Sequence, residues 1–225
     1  MAGVITAVEV QAKRRNRVNV YLDRAFAFGL TNLVAEQAGL RPGLFLSDEQ
    51  IQRLLSAEAM QQALDTALAF LSYRPRSESE VRRNLSSKKI PEPLIDEVLA
   101  RLRASGLIDD AAFARYWAEN RETFSPRGQR LLKAELRQKG ISPDTIAETL
   151  EASEVDELSG AYRVAEKKAR SLRNLDKRTF WQRLSAHLAR RGFDYEVIHE
   201  VVSRLWREMA PDQALADRDS DSDTE

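Results

Sequence analysis

The sequence predicts a mainly α-helical protein. Tandem copies of a three-helix unit form an elongated, curved array, preceded by a small strand-rich α+β module. Three observations lead there. First, Leu85, Leu136 and Leu188 anchor three blocks that align without a gap at a spacing of 51 and then 52 residues, and an internal repeat at fixed period decides the architecture before any local reading. Second, the proline and glycine punctuation recurs with the same period. Third, strand-type alternation is confined to the first thirty residues or so.

The register is specific. Four residues before each anchor stands Val81, Leu132 or Leu184, and three after it Lys88, Lys139 or Arg191. Ile90, Ile141 and Phe193 follow, then Ile95, Ile146 and Ile198, then Leu99, Leu150 and Val202. Each unit is about 50 residues and buries little apolar surface alone, so neighbours are expected to pack together.

At the N-terminus, Val4, Thr6, Val8 and Val10 alternate with other residues, as do Val18, Val20 and Leu22, then Phe26, Phe28 and Leu30. Period two with β-branched and aromatic residues reads as strands. Lys13 to Asn16 and Asp23-Arg24 read as turns. A short helix follows over Asn32–Ala38. Ser47 with Gln50 forms a capping box, and Asp48 and Glu49 suit the positive helix end. The first unit reads as helices over 59–71, 77–89 and 93–104. The second reads as 111–122, 126–139 and 143–152, with Asp109 as cap, and the third as 157–171, 177–191 and 195–209. Proline near the start and glycine just past the end is the expected helix asymmetry. The predicted division is 1–57, 58–108, 109–156 and 157–209, followed by an acidic disordered tail at 210–225.

The 225 residues carry 35 Lys+Arg against 35 Asp+Glu. That neutrality hides an asymmetry. Residues 208–225 hold seven acids and one base, which leaves 34 basic against 28 acidic residues in 1–207, a body of +6 and a tail of −6. A basic surface with an acidic arm suggests a polyanionic partner, with the tail either a solvated segment or a competitor for the basic faces. Cysteine is absent, which excludes disulfides and thiolate chemistry. No apolar run of membrane-spanning length and no signal peptide is seen, so a cytosolic protein is expected. His187 and His199 lack the partners of a metal site. No phosphate-binding glycine loop or nucleophile elbow occurs. The reading is a binding protein without catalysis and without a cofactor.

The middle helix of each unit carries the charge. Candidate contacts to a polyanion are Arg74, Arg76, Arg82, Arg83 and Lys88 in the first unit, then Arg127, Arg130, Lys133, Arg137 and Lys139 in the second. The third supplies Arg178, Arg183, Arg190 and Arg191. Lys88, Lys139 and Arg191 equally suit the negative helix C-terminus. Arg76, Arg127, Arg130 and Lys133 lie in the opposite half, where positive charge opposes the dipole, and a bound polyanion would account for them. Phe113, Tyr116, Trp117, Phe180, Trp181 and Trp206 read as core. Tyr73 and Phe124, beside turns, are open between core and contact.

These residues resemble the RecX family, bacterial regulators of the RecA recombinase. The likeness rests on Ile5-Thr6 with Val8-Glu9-Val10, Val20-Tyr21-Leu22-Asp23, Ala27-Phe28-Gly29 and Gly39-Leu40-Arg41. It continues with Arg76-Ser77, Glu80-Val81, Phe113-Ala114, Pro126, Glu135-Leu136, Lys139-Gly140-Ile141 and Arg191-Gly192-Phe193. The chain itself is expected to be a monomer, and the resemblance implies tandem three-helix repeats and binding in the groove of the RecA–single-stranded DNA filament. There it would repress strand exchange and ATP hydrolysis, with duplex DNA a further possible partner and no membrane. Arg24, where many members have glycine, and Lys89, where the later repeats have Gly140 and Gly192, depart from the pattern. A helix-turn-helix DNA-binding protein and a protein–protein scaffold are the competing readings.

Overall fold

The computed structural model describes residues 2–153 and 156–220, with side chains described as far as Met209. It resolves into two compact units, one of residues 1–75 with 81–108, the other of residues 76–80 with 109–225.

The first unit opens with three strands, β1 (Gly3–Gln11), β2 (Arg14–Leu22) and β3 (Ala25–Thr31), followed by α1 (Asn32–Gln37) and the short β4 (Phe45–Leu46). The sheet order is β3-β2-β1-β4, antiparallel throughout, with Val8 opposite Val20 and Val20 opposite Phe28. β4 is a strand that the sequence reading lacks, because two residues show no periodicity. The inward face at the start of β1 belongs to Ile5, which is buried, whereas Val4 is exposed. A register shift between Ile5 and Ala7 then changes the face. The β2–β3 turn places both Asp23 (φ 48°) and Arg24 (φ 72°) in the left-handed region, as a two-residue hairpin requires. Asp23 Oδ1 accepts from the Val4 amide, and Thr6 Oγ1 accepts from the Arg24 amide at 3.0 Å. These bonds let a non-glycine pair hold the turn.

A single 24-residue helix, α2 (Asp48–Leu71), replaces the two helices expected between Ser47 and Leu71. It runs unbroken through the predicted boundary at 57/58. The Ser47–Gln50 capping box is present. Ile51 and Leu54 belong to the core under the sheet, with Ile5, Val20 and Leu30. Met60, Ala63 and Ala67 belong to the first repeat's core, with Val81, Leu85 and Leu99. Between these stripes sits Glu58, 4% exposed. Its carboxylate accepts from the Thr31 amide at 2.6 Å and from Gln62 Nε2 at 2.6 Å, and it pairs with Arg17 at 2.7 Å. Burial alone would raise its pKa; the Gln62 and Thr31 hydrogen bonds and the Arg17 charge outweigh that and lower it.

The repeats follow. The first adds α3 (Glu78–Ser87) and α4 (Glu92–Ala104) to the end of α2. The second comprises α5 (Asp110–Phe124), α6 (Gln129–Gln138) and α7 (Pro143–Glu151), and the third α8 (Glu157–Arg170), α9 (Lys177–Arg190) and α10 (Tyr195–Ser220). The inward pairs Val81/Leu85, Leu132/Leu136 and Leu184/Leu188 are all buried, as i,i+4 spacing demands. Each middle helix ends alike: the amides of Ile90, Ile141 and Phe193 donate to the carbonyls of Leu85, Leu136 and Leu188. This closure needs a left-handed residue just past the helix. Gly140 and Gly192 supply it at φ +85°, and Lys89 supplies it at φ 61°, so the lysine ends its helix as the glycines do. The last helix continues past Met209 to Ser220, into the segment expected to be disordered; residues 221–225 lie outside the described residues.

Two outcomes are expected in denaturant titrations. Replacing Glu58 with Gln leaves the half-buried Arg17 without its ion-pair partner and should cost about 3 kcal/mol at pH 7. The carboxylate's folded pKa is depressed, so its contribution is complete above the unfolded value and lost as pH falls through the folded one. E58Q should therefore lose less stability on acidification than the parent. Replacing Lys89 with Gly should relieve backbone strain and stabilise by about 0.5–1 kcal/mol.

Candidate nucleic-acid interface

The second unit repeats one packing device. Ser77 is fully buried; it donates its hydroxyl to the Lys139 carbonyl at 2.6 Å and exchanges capping bonds with Glu80. Gly128 occupies the same repeat position, and its amide donates to the Arg191 carbonyl at 3.0 Å. In both cases the start of one middle helix meets the end of the next repeat's middle helix. A Cβ on Gly128 would run into the Gly192 backbone, one on Gly192 into Leu131, and one on Gly140 into Ser79. The glycines past α6 and α9 thus serve twice, for the left-handed turn and for the close approach.

This junction uses several predicted contact residues. Lys139 Nζ pairs with Glu80 at 2.7 Å and lies 4.8 Å from the Trp117 ring centroid. Arg130 Nη2 donates to the Ala189 carbonyl at 2.8 Å. Arg127 stands 3.6 Å from Glu135, whose carboxylate also accepts from Trp117 Nε1 at 2.9 Å and Arg121 Nε at 2.7 Å. Of the charges opposing the dipole, Arg130 therefore has an intramolecular acceptor, while Arg127 has an ion-pair partner but its buried Nε makes no hydrogen bond. Lys133 is half-buried, and its charge favours the ionised form of Glu157, whose carboxylate accepts from the Gln129 amide at the start of α6. Burial is the largest influence on that carboxyl, and its pKa is raised.

The remaining candidates divide. Arg82 is spent on Glu92 at 2.8 Å and Asp96 at 2.6 Å. Arg74 donates to the Pro75 carbonyl, and Arg76 and Arg83 have partners of their own. Arg191 is half-buried, and burial followed by the neighbouring Arg127 charge lowers its pKa. Lys88, Arg137, Arg178, Arg183 and Arg190 are exposed, and none of them has an ion-pair partner among the described residues. Among the candidates, these five combine exposure with the lack of an ion-pair partner. They come from all three repeats.

The sequence reading passed over Arg163, Lys167 and Lys168, on α8. The i,i+4 spacing of Arg163 and Lys167 is a visible signal of a basic face. It also missed Glu135 as the acceptor that gathers Trp117, Arg121 and Arg127. The core aromatics behave as expected: Phe113 and Phe180 are buried, Trp117 stacks on Phe113 and Trp206 packs on Phe180. Tyr73 and Phe124 are 84% and 79% exposed, which settles both as surface residues. His199 packs edge-on against Trp181. No three metal-ligating side chains converge among the described residues, and none of the described helices is long and apolar enough to cross a membrane.

An antiparallel sheet module followed by three similar three-helix domains, joined in the second unit by a recurring helix-end junction, defines a tandem helical-repeat protein. Family models for the RecX first, second and third three-helix domains match residues 63–102, 109–150 and 154–202, and the regulatory protein RecX N-terminal domain matches 3–46. The chain belongs to the RecX family. It is 33% identical to regulatory protein RecX of Bacillus velezensis over 89% of this chain and 76% of that one. Identity to the Geobacillus kaustophilus protein of the same name is 35% over 88% and 75%. A crystal structure of regulatory protein RecX superposes with a TM-score of 0.70 at 31% identity, over 89% of this chain and 98% of that one. RecX from Lactobacillus salivarius gives 0.60 at 25% identity, over 66% and 97%. A regulatory role follows from this membership.

The close approach at Gly128 leads to a direct expectation. Replacing it with Ala should drive a methyl into backbone and destabilise the second unit by about 3 kcal/mol in thermal or chemical unfolding, whereas Gly106→Ala, where nothing lies within reach of a Cβ, should cost about 1 kcal/mol for its left-handed turn alone.

Proposed function

We propose that this protein binds the RecA–single-stranded DNA filament and restrains its ATP hydrolysis, strand exchange and extension. It would act as a cytoplasmic monomer, with no catalysis or cofactor of its own. The observation that carries this reading is the set of five exposed cations without an ion-pair partner among the described residues, Lys88, Arg137, Arg178, Arg183 and Arg190, on or just past the three middle helices of a RecX-family chain. The fold engages Arg82, Arg127, Arg130 and Lys139 internally and gives these five no ion-pair partner among the described residues. Spread over three repeats, they suit an extended polyanion more than a point ligand. The half-buried Arg74, Arg76, Arg127 and Lys133, with Arg83, would support that surface mainly by holding the helices that present it.

Regulation by filament contact predicts lower ATP turnover by RecA on single-stranded DNA at substoichiometric protein. Unchanged turnover over a wide titration would remove the reading. Joint reversal of Arg137, Arg178, Arg183 and Arg190 to Glu should raise the concentration needed for half-inhibition by tenfold or more. The same charge change at Arg53 and Arg101, outside the middle helices, should leave it within about twofold. Raising salt should weaken the parent more steeply than the reversed variant.

A further inference from the structure

Between the end of α5 and the faces of α8 and α9 lies a cleft of about 550 Å³ in the second unit. Its walls carry Arg163, Lys167 and Lys168 from α8, with His187 and Arg191 from α9 and its end. Glu166 is the one acid among the lining residues, and Arg170 engages it at 2.8 Å. Arg163 is anchored by donating to the Glu122 carbonyl at 2.8 Å. Lys167, Lys168 and Arg191 have no ion-pair partner among the described residues. The cations act on one another: burial, then the charges of Arg191, Arg190 and Lys168, lower the pKa of His187. Arg191 is likewise lowered, by burial and by Arg127. Like charges held together and partly desolvated gain most from a bound anion.

Phe124 stands at the rim, 79% exposed, with its ring available. Tyr73 holds the same position one repeat earlier and is 84% exposed; the third repeat has Asp176 there, which caps α9. An aromatic kept on the surface at one register in two repeats is unexplained by packing. The volume is within the range of small-molecule sites, roughly 300–1,000 Å³, and exceeds what a lone phosphate fills.

We propose that this cleft is a nucleotide-sized subsite for single-stranded nucleic acid, in which Lys167, Lys168 and Arg191 hold a phosphodiester and the adjoining base stacks on Phe124. A single strand is specified because a stacked duplex has no free base face to offer the ring. The assignment deepens the proposed function and rests on its nucleic-acid arm.

Binding of fluorescent dT20 by the full chain tests it, read by anisotropy across a salt series beside a duplex of equal length. Removing one base–aromatic stack is worth about 1–3 kcal/mol, so Phe124→Ala should weaken dT20 binding about fivefold or more with the salt slope unchanged. Lys167→Glu with Lys168→Glu should weaken it at least tenfold and flatten the slope by about 0.7, one single-strand phosphate contact. Phe124→Leu, which keeps an apolar side chain, should bind like Phe124→Ala, and all variants should melt with the parent. Photocrosslinking of 5-iodouracil DNA should label Phe124. Parent-like dT20 affinity in both the Phe124 and the lysine variants overturns the subsite while leaving filament regulation standing. So does RecA inhibition by a parent that fails to bind dT20, or an equal loss of duplex binding in Phe124→Ala. A parent that neither binds dT20 nor alters RecA turnover overturns both.

Discussion

The approach of Gly128 to Gly192 is the constraint on which the second unit depends. Two backbones can meet there because neither residue has a Cβ, and because Gly192 adopts a conformation that ordinary side chains resist. Once the backbones touch, the Gly128 amide can reach the Arg191 carbonyl, and Arg130 can reach the Ala189 carbonyl. The end of α9, whose carbonyls would otherwise need water, is thereby satisfied from the preceding repeat. Ser77 and Lys139 reproduce the arrangement with a hydroxyl in place of the amide. A period of about 51 residues is thus a repeated contact as well as a repeated helix pattern.

That contact changes the meaning of the basic charge. Arg127, Arg130 and Lys139 are near the junction and are held by Glu135, a carbonyl and Glu80. Their positive charge serves cohesion within the unit. The cations left for a partner are the exposed ones further round the helices and those gathered on α8. Basic residues on a helix therefore do two separate jobs here, and only the pattern of their acceptors tells the two apart.

Much of the fold was legible because its signals are local. Capping at Ser47 and Asp109 and the i,i+4 leucine pairs depend on residues within one turn of each other. The surplus of basic residues was also visible as composition. The partners of Arg82, Arg127 and Arg130 were not, since Glu92, Glu135 and Ala189 are separated from them by turns or by a whole repeat. Glu58 looked like one more polar residue in a helix. Its burial follows from Arg17 and Thr31, which only the folded sheet brings near. The unbroken α2 was misread because a change from one core to another alters the phase of the apolar residues without any breaker, and β4 and the cleft cations on α8 carried signals too short or too ordinary to stand out.

The continuity of α2 has a mechanical consequence. Its 24 residues make a rod of about 36 Å, fixed at one end among the sheet residues and at the other among Met60, Ala63 and Ala67. Glu58 clamps its midpoint to Arg17 and Thr31. With no glycine or proline along its length, the helix contains no hinge. A force applied to the sheet is delivered as torque to the first repeat's core, so the N-terminal module can act as a handle on that repeat.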